Sequence, residues 1–328
     1  MAGLILAGDV GGTKTHLGLF RLSGETVEAV RERIYPTSEF TSLEAACADF
    51  LGDAVRVDAA CIGVPGPVID GRAHASNLAW QLSSATLSHA LNGIPVSLIN
   101  DLAATAYGVI HLKSSEVAVL HRAENPPEHA NIAVIAAGTG LGESALVWDM
   151  NRYHAIASEG GHTDFAPRGE EQIELLRFLE AEFGHASYER VLSGPGLANI
   201  YRFLRARSQV AEPAWLSDQI AAGDHAAVIS EAALAGRDPA CVHALGMFCD
   251  IYGSEAANLA LKVLALGGVF LGGGIAPKIL PMLTDGAFVK AFLSKGRLNE
   301  ILRRIEVRVA LNPAAGLLGA AHCAAAML

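Results

Sequence analysis

The stretch LILAGDVGGTKTHLGLF, residues Leu4–Phe20, joins two apolar runs of strand length through a short glycine turn. An antiparallel hairpin closed by Gly11-Gly12 accounts for this pattern, but it leaves the carboxylate of Asp9, just before the turn, without a role. A Walker A phosphate loop is excluded, because Gly12 is followed by Thr13 and the Gly-Lys pair is missing. The glycine spacing of a Rossmann motif is missing as well.

Length and charge bound the classes of protein that this chain can belong to. The chain has 328 residues, of which 51% are hydrophobic, so about two domains with their own cores are expected. A formal net charge of −10 argues against a nucleic-acid partner, since contacts to phosphate backbones need a basic surface. A nucleotide ligand stays possible, because backbone N–H groups and helix N-termini also bind phosphate.

Cysteine spacing and hydropathy indicate a reduced, cytoplasmic protein without a membrane partner. The first residues lack a basic region, so no signal peptide is expected. The longest apolar stretch, VLALGGVFLGGGIA, is too short and too rich in glycine to span a bilayer. No C-x-x-C pair suggests zinc or a disulfide framework, and the five cysteines are expected to fill the apolar core: Cys47, Cys61, Cys241, Cys249 and Cys323.

Periodicity beyond the first hairpin predicts a mixed sheet with helices on its faces. In SLEAACADFL the apolar residues fall on one helical face at spacings i, i+3, i+4, i+7 and i+8, namely Leu43, Ala46, Cys47, Phe50 and Leu51. The other elements predicted here are a third strand (27–35), a buried strand (59–64), a hairpin with Asp70-Gly71 at its tip, a helix (84–91) and a strand (95–101).

The strand–turn–strand theme returns about 130 residues later in NIAVIAAGTGLGESALVW, which predicts two similar halves. Residues 170–267 are expected to be mostly helical, with Ser193 as a helix N-cap and Pro195 in the first turn. A strand in VFLGGGIAP enters a third glycine turn, and VRVAL is a last strand before the final helix. A hinge is expected near Tyr107–Leu112.

Three glycine turns and two adjacent polar residues are the first candidates for chemistry. The turns offer backbone N–H donors to a polyphosphate, and glycine lets phosphate approach closely; the alternative is that several turns are simply rich in glycine. Asn100 and Asp101 end a predicted strand, where ligands collect in α/β sheets. Asp101 is either an ordinary helix cap or a general base for a hydroxyl proton.

A second polar group consists of Glu159 and His162, on either side of a Gly-Gly turn, and Glu189, before another turn. Carboxylates and imidazoles near turns are often solvated surface residues, which is the plain alternative here. Together they suit a sugar, whose hydroxyls such side chains hold. The sequence lacks the pattern of a serine nucleophile elbow.

Six motifs occur in order along the whole chain and resemble the bacterial glucokinases of the hexokinase/actin-like ATPase superfamily. These motifs are GDVGGTKTHLGL (Gly8–Leu19), LINDLAA (Leu98–Ala104), GTGLGES (Gly138–Ser144), SEGGHTDFAP (Ser158–Pro167), YERVLSGPGL (Tyr188–Leu197) and LGGGIAPK (Leu271–Lys278). The related repressor and sugar-kinase group has a cysteine-rich zinc loop, whereas this chain has no cysteine between Cys61 and Cys241. The resemblance is therefore to the zinc-free branch.

The resemblance implies a fold and a set of site residues. The expected fold is a two-domain α/β actin-like ATPase (ribonuclease H-like) fold with mixed sheets. Its active-site cleft would lie between a small domain (1–109 plus 313–328) and a large domain (110–312). The residues implied for ATP are Gly8, Asp9, Val10, Gly11, Gly12, Thr13, Gly138, Thr139, Gly140, Gly272, Gly273 and Gly274. Those implied for the sugar are Asn77, Asn100, Asp101, Glu159, His162 and Glu189, with Asp101 as catalytic base. Mg²⁺ is expected without a direct protein ligand, near Asp9 through water.

The activity implied is ATP-dependent phosphorylation of glucose at its C6 hydroxyl, giving glucose 6-phosphate and ADP as the first step of glycolysis. A homodimer is also implied by the resemblance. One alternative is a kinase for mannose, fructose or N-acetylglucosamine, and the donor ADP or polyphosphate stays open beside ATP. The other alternative is a catalytically silent sugar or nucleotide sensor, which the intact Asp101 disfavours.

Overall fold

The structure, a computed structural model, describes residues 3–24, 26–74, 78–123, 126–208 and 210–328. The chain forms two units, one of Met1–Glu116, Ser144–Ser158 and Asn312–Leu328, and one of Val117–Glu143 and Glu159–Leu311. The domain boundaries expected at residues 109 and 312 stay a prediction. No helix within the described ranges is both long enough and apolar enough to cross a lipid bilayer.

Strands and helices alternate along most of the chain. The strands are β1 (Leu4–Val10), β2 (Lys14–Ser23), β3 (Thr26–Pro36), β4 (Ala59–Val64), β5 (Val68–Ile69), β6 (Arg72–Ala73), β7 (Leu82–Ser83), β8 (Val96–Asn100), β9 (Val117–His121), β10 (Ile132–Ala137), β11 (Leu141–Trp148), β12 (Tyr153–Ser158), β13 (Gly268–Gly272) and β14 (Val307–Ala310). The helices are α1 (Leu43–Leu51), α2 (Ser84–Ala90), α3 (Asp101–Val109), α4 (Gly169–Phe183), α5 (Gly194–Arg207), α6 (Ala214–Ala222), α7 (His225–Leu234), α8 (Pro239–Val263), α9 (Ile275–Lys278), α10 (Leu280–Leu283), α11 (Ala287–Phe292), α12 (Asn299–Leu302) and α13 (Ala315–Ala325). Short 3₁₀ helices lie at Thr37–Glu39, Ser114–Glu116, Gly160–His162, Tyr188–Arg190 and Gly296–Leu298.

The sheet of the first unit has the order β3-β2-β1-β4-β8. Strands β1, β2 and β3 pair antiparallel, which confirms the hairpin and the third strand predicted from the sequence. Strands β1, β4 and β8 run parallel. The sheet is therefore mixed, as predicted, and the carboxyl ends of its three parallel strands lie at one edge.

Helix α1 buries the face that periodicity predicts. Its buried residues are Leu43, Ala46, Cys47, Phe50 and Leu51, and the Ala45 N–H donates to Ser42 Oγ at 3.2 Å as the N-cap bond. The hairpin tip at Asp70-Gly71 is confirmed by positive φ values of 50° and 70°, which a type I′ turn requires. Local pattern was sufficient for these elements.

Helices α3 and α13 pack with their backbones in contact. An added Cβ at Gly319 would lie 1.8 Å from Ala104 O, and one at Gly108 would lie 1.8 Å from Ala315 O. Only glycine permits so close an approach of two helices. This contact fixes α3, whose first residue is Asp101, against the first unit's C-terminal helix.

The second unit combines a mixed sheet with the long helix α8. Strands β10, β13 and β14 run parallel, β9 pairs antiparallel with β14, and β11 lies beside β10. Tyr252 of α8 is buried and donates its hydroxyl hydrogen to Ile135 O at 3.2 Å, which ties this helix to β10. The predicted helical stretch between residues 170 and 267 is confirmed as α4 to α8.

The cysteines are free thiols, and four are buried as predicted for core residues: Cys47, Cys61, Cys241 and Cys249. Cys323 is only partly buried. Burial raises the pKa of the Cys47 thiol to about 12, so this thiol stays protonated at neutral pH. Its part in the molecule is packing rather than thiolate chemistry.

Candidate active site

The carboxyl edge of the first sheet brings together residues from β1 and β8. Asp9 is in register with Gly63 of β4, and Gly63 is in register with Ile99 of β8. Asp9 and Ile99 therefore lie two strands apart, about 10 Å at the usual strand spacing. The prediction that the strand before Asn100–Asp101 ends at this pair, with a helix beginning at once, is confirmed.

Asn100 rather than Asp101 caps helix α3. The N–H groups of Leu102 and Ala103 donate to Asn100 Oδ1 at 2.9 and 3.1 Å, and Asn100 Nδ2 donates to Gly66 O at 3.1 Å. Asn100 is 6% exposed, so its orientation is fixed by buried bonds. A primary amide has two donors, so one Nδ2 hydrogen is left without an acceptor among the residues that the structure describes.

Asp101 is the first residue of α3 and is partly buried. Its Oδ1 accepts from the Leu102 N–H at 2.8 Å. The positive end of a helix dipole favours an ionised carboxylate at such a position. The residue is thus held at the carboxyl edge of the sheet, at the start of α3.

The Asp9 carboxylate is partly enclosed by the first unit's own backbone. A Cβ at Gly316 of α13 would lie 2.9 Å from Asp9 Oδ2, so glycine is needed to leave this carboxylate its space. Burial raises the pKa of Asp9, and His16 opposes that shift. His16 in turn pairs with Glu32 at 3.0 Å.

The backbone of the first glycine turn is hydrogen-bonded to Thr37, a residue that no sequence motif indicates. Thr37 Oγ1 donates to Gly11 O at 2.8 Å, and the Thr37 N–H donates to Thr13 O at 3.0 Å. Gly11 N–H also closes the turn onto Lys14 O at 2.8 Å, while Gly12 and Thr13 are exposed. Thr37 is 26 residues away in the chain, so no local pattern could show this contact.

In the second unit, the segment with Glu159 and His162 is paired to the segment with Glu189. An antiparallel bridge joins Asp164 to Ser187, and the Tyr188 N–H donates to Thr163 O at 3.0 Å. His162 Nδ1 lies 3.9 Å from Glu189 Oε1. The structure therefore brings His162 and Glu189 together, although 27 residues separate them in sequence.

Glu189 also contacts the second glycine turn. Its Oε2 accepts from the Leu141 N–H at 3.0 Å. A Cβ at Gly140 would lie 2.4 Å from Glu189 Oε2, and one at Gly161 would lie 2.0 Å from Leu141 O. Both glycines are needed for this arrangement, which fixes the position of Glu189.

The second and third glycine turns line one cavity of about 860 Å³ in the second unit. Gly138, Thr139 and Gly274 are among its lining residues. Gly273 has φ +78°, and a Cβ there would lie 2.3 Å from Ala137 O. The cavity volume is within the range of cofactor pockets. The N-termini of α5 and α7 also line this cavity, through Gly194, Pro195, Asp224 and His225, and no sequence motif indicates them as part of the site.

The structure does not describe every residue that the sequence predicts for the site. Asn77, predicted as a sugar ligand, lies outside the described residues. Three residues farther along the chain, the Trp80 indole N–H donates to Phe40 O at 3.0 Å. No group of three or more His, Cys, Asp or Glu side chains that could hold a metal ion occurs among the residues described.

Glycine turns around a nucleotide-sized cavity, together with carboxylates and an imidazole at a neighbouring turn, are typical of ATP-dependent sugar kinases. The sequence model of the glucokinase family matches residues 6–327. A glucokinase of Nostoc sp. is 41% identical over 98% of this chain and 99% of its own. The chain belongs to the glucokinase family.

Solved structures agree with the predicted fold. A glucokinase from an Antarctic psychrotroph has a TM-score of 0.87 and 33% identity over 99% of both chains. A ROK family glucokinase from Streptomyces griseus, solved with glucose and AMPPNP, has a TM-score of 0.66 and 24% identity over 99% of this chain and 100% of its own; a likeness of that degree shows the fold. The predicted fold class is confirmed.

Proposed function

We propose that this chain transfers the γ-phosphoryl group of ATP to the C6 hydroxyl of glucose, giving glucose 6-phosphate and ADP. The observation that supports this most strongly is the family match over residues 6–327, which spans Asp101 and all three glycine turns. Glucose is the sugar named in the curated relatives at 37–41% identity. No comparison of that strength favours another hexose.

The sugar is proposed to bind through polar side chains from several of the predicted site segments. Asn100 would donate its remaining Nδ2 hydrogen to a hydroxyl, since its other polar groups are engaged in the cap. Glu159, His162 and Glu189 would hold further hydroxyls, and Glu189 keeps Oε1 for this while Oε2 is bound to Leu141. Asn77 remains in this proposal on the sequence motif alone.

Asp101 is proposed as the catalytic base. Its carboxylate would accept the proton of the C6 hydroxyl as that oxygen attacks the γ-phosphorus in line and the bond to ADP breaks. Asp101 lies at a strand end and a helix N-terminus, where the helix dipole favours negative charge. The same helix N-terminus supports negative charge on the transferring group.

The glycine turns are proposed to bind ATP. Gly8–Thr13 would face the phosphates with Asp9, and Gly138–Gly140 would be a second phosphate turn. Gly272–Gly274 would border the adenosine in the 860 Å³ cavity. Mg²⁺ would lie near Asp9, because a cation would stabilise the partly buried carboxylate. The contact would be made through water, since Mg²⁺ keeps several of its waters. When bound, Mg²⁺ neutralises phosphate charge.

Gly138→Ala tests the nucleotide assignment without disturbing the free protein. Among the described residues nothing lies within 4 Å of a Cβ added at Gly138, so folding should be unaffected. The Cβ would meet only the bound phosphate, and the KM for ATP should rise at least about tenfold, the equivalent of 1.4 kcal/mol. Steady-state kinetics with varied ATP measure this, with Gly246→Ala of α8 as the matched control. An unchanged KM in folded Gly138→Ala would remove this turn from the ATP site.

We also propose a cytoplasmic location and a homodimer, with no nucleic-acid or membrane partner. The net charge of −10 supports the absence of a nucleic-acid partner. Family resemblance alone supports the dimer. Sedimentation equilibrium would test it: a species of about 68 kDa, twice the 34.2 kDa chain, is expected, and a species of one chain mass would refute it.

A sugar panel tests the function. The kcat/KM with ATP should be highest for glucose and at least about tenfold lower for mannose, fructose and N-acetylglucosamine, since a site built around fixed hydroxyl contacts rejects analogues that leave its polar groups unpaired. A higher value for another hexose would make the chain a kinase for that sugar. Binding of glucose without turnover would make it a sensor.

A further inference from the structure

Two glutamates lie in the core of the second unit, with the side chain of Glu143 within hydrogen-bonding reach of that of Glu255. Glu143 of β11 is 1% exposed and Glu255 of α8 is fully buried. Within the described residues, Glu143 Oε1 has no hydrogen-bond partner. Ionised carboxylates only accept hydrogen bonds, so two that touch repel each other unless one of them is protonated and donates. The geometry thus calls for a proton.

The groups around Glu255 balance a single negative charge. Lys262 Nζ lies 3.5 Å from Glu255 Oε1, and Asn258 Nδ2 donates to Glu255 Oε2 at 2.7 Å. Lys295 Nζ donates instead to Asn258 Oδ1 at 2.5 Å and Ser254 Oγ at 3.2 Å. Among the residues described, the ammonium group of Lys262 therefore contacts the glutamate pair, and its single positive charge balances the negative charge of one carboxylate.

Other titratable groups that face the pair are Tyr188, Tyr252 and, beyond Lys295, Arg168. Burial, followed by the charge of Glu255, raises the pKa of Glu143 to about 8, while Lys262 opposes this shift. Burial and Glu255 also raise the pKa of Tyr188, so the tyrosine stays neutral. Glu143 is therefore the group in this cluster that loses its proton near pH 8.

The pair contacts both elements that position Glu189. On one side, Glu143 follows Leu141 by two residues on β11, and the Leu141 N–H donates to Glu189 Oε2 at 3.0 Å. On the other side, Asn258 Nδ2 donates to the hydroxyl of Tyr188, the residue before Glu189, at 3.0 Å. Each carboxylate is therefore connected to Glu189 through a short path, Glu143 along β11 to Leu141 and Glu255 through Asn258 to Tyr188.

We propose that Glu143 and Glu255 share one proton, and that this proton keeps Glu189 in its glucose-binding position. Glu143 and Glu255 are positioning residues that do not touch substrate. The proposal rests on the proposed role of Glu189 as a glucose ligand. It makes glucose affinity sensitive to pH through groups buried away from the sugar, since loss of the proton leaves two adjacent carboxylates that move apart.

The test is the Kd for glucose, measured by calorimetry from pH 7 to 9.5 without nucleotide. In the wild type, Kd should be flat to about pH 8 and then rise by up to about tenfold per pH unit, the limit for one linked proton. Glu143→Gln should keep a flat Kd over the whole range, because its amide N–H permanently replaces the shared proton. The matched control is Glu300→Gln, an exposed glutamate of the same unit, which should follow the wild type.

Thermal unfolding gives a second readout that does not involve glucose. The folded protein holds the Glu143 proton up to about pH 8, and the unfolded chain only to its ordinary value of 4.5. This group's contribution to stability therefore falls as pH rises from 4.5 to 8 and levels off above. Glu143→Gln should lose less Tm than the wild type between pH 5 and 8.5.

A wild-type Kd that stays flat to pH 9.5, or an alkaline rise that persists in Glu143→Gln, overturns the proposal. If Glu143→Gln does not fold, Glu255→Gln supplies the same donor from the other partner. Glu189→Gln separates this proposal from the function on which it rests. If Glu189→Gln leaves the Kd unchanged while the Tm difference is present, the pair shares a proton but the glucose role of Glu189 is wrong.

Discussion

Asp101→Asn should lower kcat by about 10² to 10⁴, the usual contribution of a general base. The amide keeps the size of the side chain and can still accept from the Leu102 N–H, but it cannot take the C6 proton. The KM for glucose should change little, because Asn100, Glu159 and Glu189 still hold the sugar. Steady-state kinetics with varied glucose separate the two parameters.

Asp218→Asn is the matched control for this variant. Asp218 is exposed on α6, outside the residues that line the cavity, so its amide should leave kcat unchanged. A near-normal kcat in Asp101→Asn would refute the assignment of the catalytic base. A large rise in KM at unchanged kcat would make Asp101 a sugar ligand alone.

Gly319→Ala should strongly destabilise the first unit. Its Cβ would lie 1.8 Å from Ala104 O and 2.6 Å from Gly108 N, so α13 and α3 must move apart. Overpacking of this kind costs about 3 kcal/mol. Because α3 also positions Asp101, a displacement of about 1 Å should lower kcat/KM by about 10² in the fraction that folds.

Gly246→Ala should have the opposite effect on stability, although Gly246 also lies within a helix. Gly246 lies within α8, and in the described part of the chain nothing comes within 4 Å of its added Cβ. Alanine is favoured over glycine in a helix by about 0.5–1 kcal/mol, so this variant should be slightly more stable. Urea denaturation of both variants tests the pair. Equal stabilities would contradict the backbone contact between α3 and α13.

Elements with a local signature could be predicted from the sequence. The face of α1 follows from apolar spacing over nine residues, and the hairpin of β1 and β2 follows from two apolar runs around Gly11-Gly12. The hairpin and the proposed phosphate turn are also compatible, since the turn's exposed residues lie at the end of the hairpin. The two interpretations of the first stretch were therefore not alternatives.

Contacts between distant residues could not be predicted from pattern alone. Gly319 and Gly246 both lie within helices, and the local sequence does not distinguish them. Of the two, only Gly319 contacts the backbone of another helix. The sequence pattern predicts only that Glu143 is a polar residue of a strand, because its partner Glu255 is 112 residues away. Physical position in the fold decides the role of such residues, whereas pattern decides only the element in which they lie.

The site residues divide in the same way. Family motifs identified Asn100, Asp101 and Glu189, and the structure adds how they are held: the cap bonds of Asn100 and the bond from Leu141 to Glu189. Thr37 had no motif, because its contact with Gly11 depends on the pairing of β2 with β3. The catalytic and binding roles of these residues remain predictions.

The central claim is a phosphoryl transfer from ATP to the C6 oxygen of glucose, and ³¹P NMR of the reaction mixture tests it directly. With ATP, Mg²⁺ and glucose, the resonance of glucose 6-phosphate should appear at the rate at which ADP forms, in equal amounts. The Asp101→Asn enzyme should form both products more slowly by the same factor. Inorganic phosphate in place of a sugar phosphate, a phosphate on another hydroxyl, or no consumption of ATP by the folded protein would contradict the account.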